Sequence, residues 1–167
     1  MLSFRAKLTA IIIIMVALSV IASGLLMLQT YKENHINVLR ETLERELLLI
    51  SAHMEWPELN SVDEQIDYFS EQSTLIKSLT DARVTYIRGD GIVVGDSNTA
   101  NVREMDNHIN REEIIGAMKD GMGYTIRGST TFNQDMLYVA IATTNPHDQT
   151  PFIIRLSFSF KILNPKL

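Results

Sequence analysis

No cysteine occurs anywhere in the 167 residues. That absence excludes a disulfide scaffold, a thiolate zinc site and a cysteine nucleophile. It leaves the compartment open, because a domain of this size can stand on its core without crosslinks. A basic stripe or Lys/Arg cluster is also missing, and the formal net charge is −5. A phosphate-backbone binder needs such a cluster, so nucleic acid is not an expected partner. Catalytic signatures are absent too: there is no His-x-Glu-x-x-His, no Gly-x-Ser-x-Gly elbow and no Walker loop. Asp63, Glu64 and Asp67 are spread around a helix rather than gathered into a metal cage. No enzyme activity, metal or cofactor is expected from these residues.

One absence is local. Leu8 to Leu28 contains no charged residue and includes the run Ile11-Ile12-Ile13-Ile14-Met15-Val16-Ala17-Leu18. A span of roughly 20 apolar residues matches the hydrocarbon thickness at helical rise. Arg5 and Lys7 precede it, while Lys32 and Glu33 follow it and nearly cancel. The positive-inside tendency then places residues 1–7 in the cytoplasm and the chain after about Tyr31 outside. Residues 8–29 are the expected transmembrane helix. Ala22-Ser23-Gly24 offers a cleavage region, but the apolar block exceeds the roughly 7–15 residues of a signal peptide core. An uncleaved anchor is therefore expected. A buried core helix fits less well, since no face of the segment is polar.

What is present beyond the anchor suits a folded protein: the chain is 46% hydrophobic and 21% charged. From Tyr31 to about Met54, apolar residues Ile36, Leu39, Leu43, Leu47, Ile50 and Met54 recur at helical steps. This predicts a stalk helix, and no Gly or Pro after Gly24 separates it from the anchor. It can dimerise along its stripe, pack on its own domain, or do each along different turns. Trp56-Pro57 ends it, because proline disfavours helix at the preceding residue. Ser61-Val62-Asp63-Glu64 reads as a capping box. It opens a second helix to about Leu79, with Ile66, Phe69, Ile76 and Leu79 as its buried positions.

After Thr80 the pattern becomes strand-like. Val84-Thr85-Tyr86-Ile87, the turn Gly89-Asp90-Gly91 and Ile92-Val93-Val94 predict a hairpin. Asn110 is placed to cap a short crossing helix, with Glu113 completing its box. Ile114, Ile115 and Met118 give that helix an apolar face, and Gly121 ends it. Gly123–Arg127, Met136–Ala142 and Phe152–Ser157 are three further strands. The expected class is α+β, with a central antiparallel sheet of about five strands.

Taken in order, these segments resemble a known family. Arg83-Val84-Thr85 through Gly89-Asp90-Gly91 is followed by Gly95-Asp96-Ser97, Met105-Asp106-Asn107-His108 and Arg111-Glu112-Glu113-Ile114. Then come Gly121-Met122-Gly123, Arg127-Gly128-Ser129, Leu137-Tyr138-Val139-Ala140 and Ile154-Arg155-Leu156-Ser157. Their order and spacing resemble the extracytoplasmic PAS-like (PDC-type) domain of phosphate-regulon-type sensor histidine kinases, across most of residues 30–157. The resemblance implies a two-component receptor of the bacterial inner membrane. It implies a domain between two spans, followed by a linker module, a phospho-accepting histidine helix and an ATP-binding kinase domain. One departure is Arg111-Glu112-Glu113, where the family usually has Arg-Pro-Glu; proline is favoured at a first helical position but not required. Another is that residues 158–167 are a tail too short to cross a bilayer. None of His35, His53, His108 and His147 has a phospho-acceptor context, and no kinase nucleotide box is present. The expectation is a single-pass chain with its sensor domain outside and its kinase core lacking. A chemoreceptor-type sensor, a cyclic-nucleotide enzyme's sensor or a membrane-anchored interaction module would share the same outer architecture.

Several polar residues are candidates for a ligand site. Asn107, His108 and Arg111 precede and open the crossing helix, where an N-terminus with an adjacent arginine can hold an anion. His108 can also respond to pH. Arg127, Ser129 and Tyr138 can supply convergent donors from adjoining strands. Each also has a plain structural reading: the first three as ties pinning the loop to the sheet, the second three as a buried polar link. Asp96-Ser97 reads first as a strand stop that bonds local backbone. Met105, Met118, Met122 and Met136 read as core filling. The expected partners are the membrane, a second copy through the stalk, and an unidentified small-molecule or protein signal.

Overall fold

The computed structural model describes residues 3–59, 61–99, 101–129 and 134–160. The chain divides into two compact units, Met1–Leu39 and Arg40–Leu167. Helix α1 covers Phe4–His53. In the first unit its apolar side chains, Ile11 to Ile14 among them, are exposed. By length and composition this helix can cross a membrane: one 18-residue window has mean hydropathy 2.9, and none of that window is buried.

In the second unit, Leu43 and Leu47 of α1 are buried, two members of the expected stripe. Helix α2, Val62–Thr80, opens as its capping signal predicts: the Glu64 N–H donates to Ser61 Oγ at 3.1 Å. Phe69 and Ser73 are its buried residues. Leu79, expected inside, is 78% exposed. At 3.6 residues per turn it points roughly 80° away from Phe69, off the packed face.

Five strands follow: β1 Arg83–Arg88, β2 Val93–Asp96, β3 Met122–Ser129, β4 Gln134–Thr144 and β5 Pro151–Phe160. β5 continues past the expected end at Ser157 to Phe160; residues 161–167 of the expected tail lie outside the described residues. The sheet order is β2-β1-β5-β4-β3, antiparallel at every pairing. A turn of 3-10 helix, Val102–Glu104, and helix α3, Glu112–Asp120, connect β2 to β3.

Register sorts side chains between the two faces, because directly opposed residues point the same way. Val84, Tyr86, Ile154, Leu156, Leu137 and Val139 share one face and are buried. Each such apolar burial contributes roughly 1.5–3 kcal/mol. α2 covers this face through Phe69, whose ring lies 5.1 Å from Tyr86 and 4.9 Å from Phe152. Trp56 closes the end of the cluster, 5.2 Å from Phe152 and edge-on. Burial pushes the Tyr86 phenol up from its ordinary value.

α3 covers the other face. Ile114 and Ala117 pack with Val102, Ile87, Val93, Ala140 and Ile153. The approach is close at Gly123: a Cβ there would lie 2.3 Å from the Glu113 carbonyl oxygen and 2.6 Å from the Ala117 nitrogen. Gly121, at φ 85°, ends α3 as expected, with its N–H bonded to the Ala117 carbonyl. The start of α3 differs from expectation. Arg111 is the N-cap, no side chain caps the helix, and Asn110 is exposed. Glu113 does not turn back to complete a box; it is fully buried and held by arginines. Ile115 and Met118 are exposed, so Ala117 rather than either of them faces the sheet with Ile114.

Candidate functional site

The face under α3 carries an unusual density of charge. Cross-strand pairing aligns Arg83, Ser157, Tyr138 and Thr125 across four strands. The neighbouring row aligns Asp96, Thr85, Arg155, Ala140 and Gly123. Arg127 and Met136 form a third pair on the same face. Sheet register alone therefore gathers Arg83, Arg155 and Arg127 beneath the loop that leads into α3.

These groups form one continuous hydrogen-bonded chain. Arg83 Nε donates to both oxygens of Asp96, at 3.1 and 3.0 Å. Thr85 Oγ1 donates to Asp96 Oδ2 at 2.8 Å and accepts from Arg155 Nη2 at 3.2 Å. Arg155 Nη1 and Arg127 Nη2 both donate to Glu113 Oε1, at 3.1 and 2.8 Å. The Arg127 guanidinium lies 4.0 Å from the centre of the Tyr138 ring, and that of Arg155 lies 5.3 Å from it. Arg155 is almost fully buried, and that burial works against its charged form while Glu113 favours it. Both carboxylates, Asp96 and Glu113, have side chains with no exposed surface. Paired in this way they fix the guanidinium heads.

A pocket of about 340 Å³ opens above this network. Arg83, Arg127, Arg155, Met136 and Tyr138 line it from the sheet, and Met105, His108 and Arg111 from the connecting loop. His108 is 6% exposed, and its backbone N–H donates to the Gly91 carbonyl at 2.9 Å. Among the described residues its Nδ1 has no partner. Burial, then the nearby Arg155 and Arg111, hold the imidazole down at about 4, against a smaller opposing pull from Glu113.

The six residues expected at a ligand site divide accordingly. His108, Arg111, Arg127 and Tyr138 meet at the pocket. Asn107 does not line it. Its side chain donates to the Asp90 carbonyl at 2.8 Å and accepts from the Ile109 N–H, tying the loop to the β1–β2 turn. Ser129 ends β3, and its side chain lies outside the described residues. Asp96 is more than a strand stop. It accepts locally from the Asn98 N–H at 2.9 Å, but it also anchors Arg83 and Thr85. Met136 and the half-buried Met105 line the pocket rather than only filling core. Sequence reasoning missed Arg83 and Arg155. The available signal was a charge inside the otherwise buried run Phe152-Ile153-Ile154-Arg155-Leu156, since an unpaired charge is rarely buried.

Solved structures share this fold. The sensor domain of the V. cholerae histidine kinase DctB superposes with a TM-score of 0.56 at 16% identity, covering 74% of this chain and 50% of that one. The periplasmic domain of RsbU from Chlamydia trachomatis gives 0.56 at 15% identity, over 85% of this chain and 53% of that one. The E. coli DcuS sensor domain gives 0.52 at 9% identity, over 74% and 91%. This chain thus spans half the length of the DctB sensor chain. No family model and no curated protein matches the sequence. At such identities the likeness establishes the fold: an α+β domain of the PAS-like (PDC) fold, following a long apolar helix in the sequence.

Proposed function

We propose that this chain is the extracytoplasmic sensing part of a membrane sensor histidine kinase. The observation that carries the reading is the sensor-domain fold directly behind a helix able to span a bilayer. Arg5 and Lys7 before that helix support a cytoplasmic N-terminus, and the domain then lies outside the inner membrane. The proposed division is residues 1–7 inside, 8–29 spanning and 30–160 sensing, since β5 carries the sheet on to Phe160. The ordered string of motifs from Arg83 to Ser157 supports placing the parent among phosphate-regulon-type kinases. Signalling requires two arrangements of the domain and a signal that binds one better. In this reading two copies meet along α1, where Leu48 and Leu49 are exposed, and a shift at that contact carries the signal inward.

The test has two arms. Protease added to intact spheroplasts should remove the C-terminal portion while the N-terminus stays protected; the reverse pattern would end the receptor reading. Fusing the chain to a kinase core should then make autophosphorylation depend on the outer domain. A second reading, a receptor with a different output, draws support from the RsbU periplasmic domain, which matches as well as DctB does. In that case topology holds while the fusion leaves kinase activity unchanged.

A further inference from the structure

We infer that the pocket between the sheet and the α3 loop is a binding site for a small doubly charged anion. The inference deepens the sensing role proposed above and rests on it. The charge of the walls is the first ground. Four guanidiniums, those of Arg83, Arg111, Arg127 and Arg155, line the pocket, and among the described residues no carboxylate does. Two carboxylates, Asp96 and Glu113, are salt-bridged to arginines of this set from positions with no exposed surface. The surplus is two positive charges. Glu112, which accepts from Thr125 Oγ1 at 2.6 Å, is exposed and does not line the pocket; solvent screens it.

The second ground is the set of buried polar atoms that the fold leaves without partners. Among the described residues Arg155 Nε and Ser157 Oγ have none, and both residues are at least nine-tenths buried. His108 Nδ1 is a third, on a side chain that lines the pocket. Buried polar atoms are ordinarily bonded, and Arg155 Nε–H is a donor in every state, so beside the pocket it needs an acceptor from elsewhere; the Ser157 hydroxyl and one tautomer of the His108 ring can donate as well. Glu113 Oε2 is also unpartnered, but Glu113 lies behind the arginines rather than in the wall. Arg111 points the same way: among the described residues its side chain has no partner, and it stands at the rim beside His108.

The third ground is preorganisation. Arg83, Arg127 and Arg155 are each fixed by a buried carboxylate, and Tyr138 stacks against two of them. Held guanidiniums bind an oxyanion without first being ordered, and planar forks suit carboxylate and phosphate oxygens alike. A monoanion would leave one surplus charge uncompensated, so the site selects for two charges.

Calorimetric titration of the full chain in nanodiscs tests this, at about pH 8 and constant ionic strength. The probes are succinate, inorganic phosphate and acetate. At least one of the two dianions should bind saturably, at least about tenfold tighter than acetate. Succinate alone binding means two separated oxyanions are read; phosphate alone means one compact group; either result supports the inference. Arg111→Gln should weaken that binding about tenfold or more and leave the fold in place, because Arg111 caps α3 through its backbone while its exposed side chain has no partner among the described residues. Arg103→Gln, at a surface pair with Asp63 outside the pocket, should leave it unchanged. The inference fails if neither dianion exceeds acetate, or if Arg111→Gln binds as tightly as the parent. Should that happen while protease still cleaves the domain from outside, the ligand class is wrong and the sensing role stands. An inward-facing domain would overturn the sensing role whatever binds.

Discussion

Glu113 is the residue on which the polar face depends, and Glu113→Ala tests that dependence. Its carboxylate is fully buried, and one oxygen accepts from both Arg127 and Arg155. Arg155 is 3% exposed, and without Glu113 its remaining hydrogen-bonded neighbour among the described residues is the neutral Thr85. Deleting the carboxylate therefore strands a buried cation. Breaking a buried pair from one side costs about 3–5 kcal/mol. Arg127 adds little to this, since it is partly exposed and keeps its stacking on Tyr138. Trp56, the single tryptophan, stacks edge-on against Phe152 and reports unfolding by fluorescence. Urea titration of the full chain in detergent should show the midpoint falling at unchanged slope. The double variant Glu113→Ala with Arg155→Met should regain most of the loss, because the stranded charge is gone. A single variant within about 0.5 kcal/mol of the parent would refute the claim that Glu113 neutralises Arg155. So would a double variant whose losses simply add.

Three other outcomes follow from the same structure. His108 is held at about 4 in the fold against an ordinary 6.5. Above 6.5 both folded and unfolded forms are neutral; as pH falls the unfolded chain takes the proton first, so stability drops. The loss from pH 7 to pH 5 is about 2 kcal/mol, and His108→Asn should flatten that limb in denaturation curves; an unchanged slope would show that His108 is not the group responsible. Gly123→Ala would drive a methyl into the Glu113 carbonyl and the Ala117 nitrogen, both backbone. A loss of about 1–3 kcal/mol in the same urea assay is expected, and no loss would mean that α3 sits farther from β3. Because the chain has no cysteine, Leu49→Cys introduces a single thiol on an exposed turn of α1. Mild oxidation in membranes should yield a disulfide-linked dimer; monomer alone would remove the α1 contact from the proposal.

Element identities were legible because local chemistry decided them. The Ser61–Glu64 cap, the Gly89-Asp90-Gly91 turn and the Gly121 stop all act over a few residues, and each does in the fold what its type predicts. The misreadings came where tertiary contact overrode a local rule. Asn110 and Glu113 have the spacing of a capping box. A buried acceptor facing two arginines outweighs one exposed helix N–H, so Glu113 turns inward and the box never forms. Ile115 and Met118 follow the same logic in reverse. α3 needs only one narrow apolar seam, because Gly123 lets it approach β3 backbone to backbone.

The site was half legible for a related reason. His108 and Arg111 stand beside a helix start, and Arg127 and Tyr138 on strands flanking one hairpin, so each signal was local. Arg83 and Arg155 are separated by most of the domain, and only the β1–β5 pairing brings them to one face. That pairing closes the sheet by joining its first strand to its last, and no short-range pattern specifies it. The register is nevertheless fixed, since slipping β5 by one residue would turn Ile154 and Leu156 away from Phe69 and drive Arg155 and Ser157 into the aromatic core. The apolar face thus enforces the geometry of the polar one. Burial on the apolar face aligns Arg83 and Arg155 on the opposite side of β1 and β5, and the pocket inherits that part of its precision from a core it does not touch.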